Sequence, residues 1–184
     1  MVRPLRSPLR CASLLVVTAV SVVACSPSGD DPADWPHYAR DLAGSKYSPL
    51  DQIDAGNVSR LEVAWTWESA DYRLTGNHAG ASVNPNFQAT PIKIGERLYT
   101  STNLGQAVAL DPATGREIWR YDPYAAGLRP IPGGRSNRGV AWWSDGTSER
   151  ILLGSGEYLV SLDAATGEPD PAFGSAGAVN LADD

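Results

Sequence analysis

The stretch Ala109-Leu110-Asp111-Pro112-Ala113-Thr114-Gly115-Arg116-Glu117-Ile118-Trp119 decides the fold of this 184-residue chain. Its two apolar ends predict one buried strand that leads in and a second strand that leads out. Between them, Asp111 and Pro112 favour a tight turn, because the carboxylate accepts backbone N–H groups and proline fixes φ. Gly115 closes the turn, since glycine adopts a positive φ without steric cost.

A second copy of the turn begins at Asp163, 52 positions after Asp111. A turn that repeats at roughly 40–50 residues is typical of a β-propeller with four-stranded blades. The chain also contains 18 glycines and 14 prolines, a composition that favours an all-β, turn-rich fold. Pro171 stands where the first copy has Trp119, with Phe173 nearby, so blade docking at that point needs a different aromatic residue or none.

Alternating apolar residues predict a further strand over Leu61–Trp67, with one face packed against another sheet. Ligand binding by Trp65 and Trp67 is the alternative to this core packing. The same kind of pattern predicts strands around Ile92–Ile94, Leu98–Thr100, Ile151–Leu153 and Tyr158–Leu162.

The segment from Trp35 to Val58 predicts a loop, because proline, glycine and serine interrupt it repeatedly. Trp35, Tyr38 and Tyr47 are expected to supply its buried area. His37 is expected to be a packed or surface histidine. His78 lies in an aperiodic segment without a second metal ligand at a suitable spacing, so the sequence predicts no metal site there.

Residues 1–24 predict a signal peptide, because three arginines precede an apolar run too short to span a membrane comfortably. Val22-Val23-Ala24-Cys25 resembles a bacterial lipoprotein signal. This resemblance implies cleavage before Cys25, lipidation of Cys25 and, since Ser26 follows, the periplasmic side of the outer membrane. An ordinary secretory signal or a membrane anchor is the alternative. Residues 25–34 predict a flexible tether.

The chain is acidic, with a formal net charge of −6 at pH 7. Such a surface repels phosphate backbones, which excludes nucleic acid as a partner. The only two cysteines are Cys11, inside the predicted signal, and Cys25, the predicted lipid site. The mature chain is therefore expected to hold no disulfide.

The turn that ends at Trp119 resembles the tryptophan-docking motif of the pyrroloquinoline quinone (PQQ) dehydrogenases. In that family a tryptophan of one blade packs on the turn of its neighbour. The opening Trp35-Pro36-His37-Tyr38 and the stretch Gly44–Ile53 resemble the start of the same enzymes. The resemblance implies an eight-bladed propeller, of which residues 35–184 supply the first two to three blades.

The segment Asn137-Arg138-Gly139-Val140-Ala141-Trp142 is similar to the family's Asn-Arg-Gly-Leu/Val-Ala-Tyr segment. The resemblance assigns Arg138 to cofactor binding. PQQ carries three carboxylates and an ortho-quinone, and a planar guanidinium presents a fork of donors that suits such oxygens. A surface arginine paired with an acid is the alternative.

Two more residues are assigned to the cofactor by resemblance. Alcohol-oxidising members carry a vicinal disulfide at the positions of Pro132 and Gly133, so this feature is absent. Glucose-type membrane members place an aromatic residue or histidine after the arginine segment, which assigns Trp143 to the PQQ plane, with core packing as the alternative. Gln88 stands where the family often has a glutamate that bonds PQQ.

The resemblance implies a glucose-dehydrogenase-like enzyme that oxidises an alcohol or aldose hydroxyl and passes electrons through PQQ to a quinone or cytochrome. The family also uses Ca²⁺ and an aspartate base. No residue of this chain matches these groups, so the chain alone is expected to be inactive. The alternative is a non-enzymatic propeller lipoprotein, an outer-membrane assembly scaffold or binding module.

Overall fold

The computed structural model describes residues 31–71, 87–128 and 137–183. They form two four-stranded antiparallel sheets, preceded by a single 3-10 turn at Val58–Arg60. In both sheets the strands pair in chain order, which confirms the all-β prediction and the partial propeller. The first sheet contains β1 (Ile92–Ile94), β2 (Arg97–Ser101), β3 (Ala107–Leu110) and β4 (Glu117–Tyr121). The second contains β5 (Ala141–Ser144), β6 (Glu149–Ser155), β7 (Tyr158–Asp163) and β8 (Ala178–Asn180).

The two sheets pack face to face through one hydrophobic cluster. β1, β3, β6 and β7 each contribute two residues at alternate positions, as the two-residue period of a strand requires. Ile92 and Ile94 lie on the first sheet, and Ile151 and Leu153 face them from the second. Each sheet therefore depends on its neighbour for the burial of this face, as successive blades of a propeller do.

Both copies of the aspartate turn have the predicted geometry. The Asp163 carboxylate accepts the backbone N–H groups of Ala165 and Thr166 at 3.0 and 2.8 Å. The Asp163 carbonyl accepts the N–H of Gly167 at 2.8 Å. In the first copy the same backbone bonds lower the pKa of Asp111, led by the N–H of Ala113.

A tryptophan docks on each of these turns. Trp119 Nε1 donates to the Ala164 carbonyl at 3.0 Å, and Trp65 Nε1 donates to the Pro112 carbonyl at 3.0 Å. A Cβ atom on Gly167 would lie 2.5 Å from the Trp119 ring, so only glycine leaves room for the indole. The structure thus confirms the docking role that the motif predicts.

The prediction of a core strand over Leu61–Trp67 is wrong. The segment is extended but joins no sheet, and Leu61 and Val63 are 59% and 82% exposed. Alternation indicates which side chains share a face, but a strand also needs a hydrogen-bonded neighbour, and the described residues provide none here. Trp65 docks on the first turn as Trp119 docks on the second, so the segment takes the place of an outer strand of a preceding blade.

The lead-in is anchored by fewer aromatic residues than predicted. Tyr38 and Tyr47 are 68% and 66% exposed, so their expected burial is wrong. The backbone of Trp35 exchanges two hydrogen bonds with Lys93 on β1, at 2.8 and 3.1 Å. Asp34 is buried and accepts from Lys93 Nζ at 3.0 Å, so the chain already joins the fold at the last residue of the predicted tether.

The docking contact predicts that Gly167→Ala is more destabilising than Gly146→Ala. Both glycines have a positive φ, +74° and +86°, so both substitutions strain the backbone by roughly 1–2 kcal/mol. Only the methyl group at position 167 also meets the Trp119 ring, whereas nothing lies within 4 Å at position 146. We expect Gly167→Ala to lower the free energy of unfolding in urea by about 1–3 kcal/mol more than Gly146→Ala. Equal losses would contradict the docking.

Tyr99 predicts an alkaline loss of stability. Its hydroxyl donates to the Ala164 carbonyl at 3.0 Å, and burial raises its pKa to about 12 from 10. The folded state therefore holds the phenol proton more tightly than the unfolded state. The resulting stability is complete below pH 10 and is lost as the pH rises to about 12, by roughly 2–3 kcal/mol. The free energy of unfolding of Tyr99→Phe should fall less over this interval, and parallel curves would refute the assignment.

Candidate functional site

The two sheets converge at the starts of their first strands. Thr90, just before β1, and Gly139, just before β5, form a parallel bridge in which Thr90 N donates to the Arg138 carbonyl at 3.2 Å. Gly139 has φ +122°, and a Cβ atom there would lie 2.8 Å from the Thr90 carbonyl oxygen, so this approach requires glycine. Propeller blades are arranged radially around a central channel and lie closest together beside it, so we take the edge at which the first strands meet as the inner edge.

Arg138 lies at this inner edge with an exposed side chain. Across the described ranges, its guanidinium has no hydrogen-bond or ion-pair partner. Two other arginines, by contrast, are engaged: Arg150 pairs with Asp170 at 2.9 Å, and Arg40 donates to the Tyr47 carbonyl at 2.7 Å. Arg138 therefore keeps its whole fork of donors available to a ligand.

Asn137 holds the chain next to Arg138. Its Oδ1 accepts from Ser101 Oγ at 2.6 Å and from the N–H of Gly139 at 3.1 Å. Its Nδ2 donates to the Gly154 carbonyl at 2.9 Å. Asn137 is part of the Asn-Arg-Gly motif, but the motif by itself indicates no role for it. Its position directly before the arginine was the sequence signal for a role at the site. Its partners Ser101 and Gly154 lie 36 and 17 residues away and are identified only by the fold.

Gln88 lies on the facing segment, two residues before Thr90, and its side chain is also exposed. Since Thr90 pairs with Gly139, the structure brings the segments that carry Gln88 and Arg138 to the same inner edge. A glutamine side chain offers two donors and an acceptor there, without a charge.

Trp143 lies further along the chain, on the edge strand that follows Arg138. It is on β5, five residues after Arg138, so an extended backbone separates the two by about 16 Å. The Arg150 guanidinium lies 5.2 Å from the Trp143 ring centroid, and the ring remains 41% exposed. The structure does not bring Trp143 to Arg138, and its contact with a cofactor stays a prediction.

Several predicted positions lie outside the described residues: Cys25, His78, Pro132 and Gly133. Within 31–71, 87–128 and 137–183, no group of three or more His, Cys, Asp or Glu side chains is arranged to hold a metal ion. Over these same ranges, no helix has the length and apolar character needed to cross a membrane.

The donors at the inner edge suit an anionic ligand rich in oxygen. Arg138 supplies a permanent positive charge and a planar fork that matches a carboxylate. Gln88 supplies an amide that either donates to or accepts from a neighbouring polar group. This donor set fits the carboxylates and ortho-quinone of PQQ.

The comparisons with known proteins agree with this geometry. The family described as "PQQ: Glucose/ethanol/alcohol dehydrogenase, beta-propeller domain" matches residues 35–184. Quinoprotein glucose dehydrogenase A of Acinetobacter calcoaceticus is 50% identical over 91 residues, which cover 50% of this chain and 11% of the relative. The dehydrogenase subunit of the alcohol dehydrogenase (quinone) of Gluconobacter oxydans is 32% identical over 174 residues, which cover 87% of this chain and 21% of the relative.

Among solved structures, the quinohemoprotein alcohol dehydrogenase ADHIIG of Pseudomonas putida HK5 superposes with a TM-score of 0.60 and 28% identity, over 85% of this chain and 20% of that one. The chain thus spans about a tenth to a fifth of the length of these relatives. The docking turns, the paired sheets and the family match all support the resemblance drawn from the sequence. The chain therefore belongs to the β-propeller domain family of the PQQ-dependent glucose, ethanol and alcohol dehydrogenases.

Proposed function

We propose that this chain forms part of the PQQ-binding wall of a dehydrogenase that oxidises an alcohol or aldose hydroxyl. The observation that carries the proposal is the unpaired Arg138 guanidinium at the inner edge of the two blades. Family membership supports it, because the match includes the segments that contain Gln88 and Arg138.

In this proposal the chain binds and orients the cofactor. Arg138 forms a charge-assisted, two-point contact with a cofactor carboxylate, and Gln88 adds a neutral hydrogen bond from the facing segment. PQQ, when bound, would supply the oxidant that takes up the two electrons and two protons released as the substrate's C–H and O–H bonds become a carbonyl. The high exposure of Arg138 means that further walls of the propeller are needed to exclude water from this contact.

The catalytic groups belong to other parts of the protein in this proposal. The family resemblance implies a Ca²⁺ ion that polarises the quinone and an aspartate that takes the substrate proton. The described residues contain no acidic cluster that suits the ion. We therefore assign the Ca²⁺ ligands and the base to later blades, and expect the 184-residue chain alone to show no dye reduction with PQQ, Ca²⁺ and glucose.

The location and partners follow from the N-terminal sequence and the family. We propose that Cys25 carries a lipid after cleavage of residues 1–24, and that residues 25–34 tether the propeller on the periplasmic side of the outer membrane. The electron acceptor is a quinone or a cytochrome. One relative is named an alcohol dehydrogenase (quinone), which supports the first of these.

The family match favours the enzyme over a non-enzymatic propeller lipoprotein. The match includes the opening at Trp35–Ile53 and the segment at Asn137–Gly139. Both features are expected in the dehydrogenase and not in the non-enzymatic lipoprotein. The glucose-type relative has the higher identity over a shorter stretch, which favours the glucose-like branch.

Arg138→Ala is expected to weaken PQQ binding by tenfold to a hundredfold. The substitution removes a charge-assisted contact worth roughly 1.5–3 kcal/mol, while the absence of a protein partner for Arg138 predicts little effect on folding. Affinity is measured by calorimetric titration of PQQ with Ca²⁺ into the apoprotein expressed from its complete reading frame.

Arg116→Ala is the matched control, because Arg116 is also exposed but lies in the first docking turn. It should bind PQQ as the wild type does. Equal affinities for the Arg138 variant and the wild type would remove the assigned site. Failure of the wild-type protein to bind PQQ would remove the proposed function itself.

A further inference from the structure

We infer that Asn137 is a positioning residue for the cofactor: it clamps the two blades together at the inner edge and thereby sets the direction of Arg138. The inference rests on the proposed function. Asn137 does not touch the cofactor in this inference, but it determines whether Arg138 is oriented to bind the cofactor.

The clamp joins three separate pieces of backbone. Ser101 ends β2 in the first blade, and Gly154 lies near the end of β6 in the second. Asn137 receives a hydrogen bond from the first and donates one to the second, at 2.6 and 2.9 Å. One side chain therefore connects both blades to the segment that carries Arg138.

The third bond fixes the local backbone. Asn137 Oδ1 also accepts a hydrogen bond from the N–H of Gly139. Asn137 and Gly139 flank Arg138 in sequence, so this bond bridges the arginine. On the facing segment, Thr90 N donates to the Arg138 carbonyl at 3.2 Å. The peptide units on both sides of Arg138 are thus held, while its guanidinium has no hydrogen-bond or ion-pair partner in the described ranges.

This arrangement suits a positioning role better than a purely structural one. The Ser101 side of the clamp is fully buried, whereas Arg138 points into solvent. A long side chain on an unfixed backbone would lose more conformational entropy on binding, and a fixed backbone reduces that cost. Loss of the clamp should therefore lower the affinity for the cofactor, but only in a protein that retains Arg138.

A double-mutant cycle tests the inference with PQQ and Ca²⁺ as the probe, on the apoprotein from the complete reading frame. Asn137→Ala should weaken PQQ binding about tenfold. In the Arg138→Ala background, the same substitution should weaken it by less than about twofold, because its effect passes through the missing guanidinium. If the fold-losses in PQQ affinity of the two single variants multiply in the double variant, Asn137 acts independently of Arg138 and the inference is wrong.

Two further variants separate positioning from general destabilisation. Asn57→Ala removes a comparable pair of side-chain bonds in the lead-in, to Asp54 N and the Gln52 carbonyl, and should leave PQQ affinity unchanged. Ser101→Ala removes one bond of the clamp with little loss of volume, and should weaken PQQ binding about threefold even if Asn137→Ala fails to fold. Wild-type affinity in Ser101→Ala would contradict the clamp.

The outcomes also separate this inference from the proposed function. If Arg138→Ala weakens PQQ binding but Asn137→Ala and Ser101→Ala do not, only the positioning role is refuted. If Arg138→Ala has no effect in a protein that binds PQQ, the assigned site is refuted and the inference with it.

Discussion

The hydrogen bond from the Trp119 indole to the Ala164 carbonyl is the contact on which the rest of the structure depends. The carbonyl is presented by a turn that its own aspartate closes, and Gly167 leaves the space that the ring fills. Tyr99 donates to the same carbonyl and lies against the same indole, with ring centroids 5.8 Å apart. One acceptor on the second blade is therefore held by two side chains of the first, which fixes the angle between the sheets.

This contact lies at the opposite end of the second blade from the candidate site. The strands alternate in direction, so the end of β7, where the docking turn begins, is level with the end of β5. Arg138 precedes the start of β5 and hence lies at the other end. Docking at one end and the bridge of Thr90 with Gly139 at the other define the seam between the blades. The seam is held by apolar and neutral contacts, which leaves the Arg138 guanidinium free for binding.

Much of the fold could be predicted because its signals are local. The aspartate turn contains its own acceptor, its own glycine and the tryptophan that packs on the next copy, so a short motif predicted both the sheets and their packing. Leu61–Trp67 shows the limit of such patterns. Its alternation is that of a strand, but strand formation depends on a neighbouring chain, which the local sequence does not contain. The burial predicted for Tyr38 and Tyr47 failed for the same reason, because an aromatic residue in the sequence does not indicate which other residues cover its ring.

The candidate site was less predictable for a related reason. Arg138 and Gln88 were assigned through resemblance, and their common place at the inner edge follows from a bridge between segments about fifty residues apart. The role of Asn137 depends on partners in two different blades, which no spacing rule reveals. Trp143 was also assigned through resemblance. It lies five residues along the chain from Arg138, which in an extended strand is about 16 Å, so its contact with the cofactor stays a prediction.

The most direct test of the account is a crystal structure of the protein, expressed from its complete reading frame, with PQQ and Ca²⁺ bound. The account predicts electron density for the tricyclic quinone at the inner edge of the blades, with a cofactor carboxylate within about 3 Å of the Arg138 guanidinium. A PQQ molecule bound away from this edge, or an Arg138 side chain that turns away from a cofactor bound there, would contradict it.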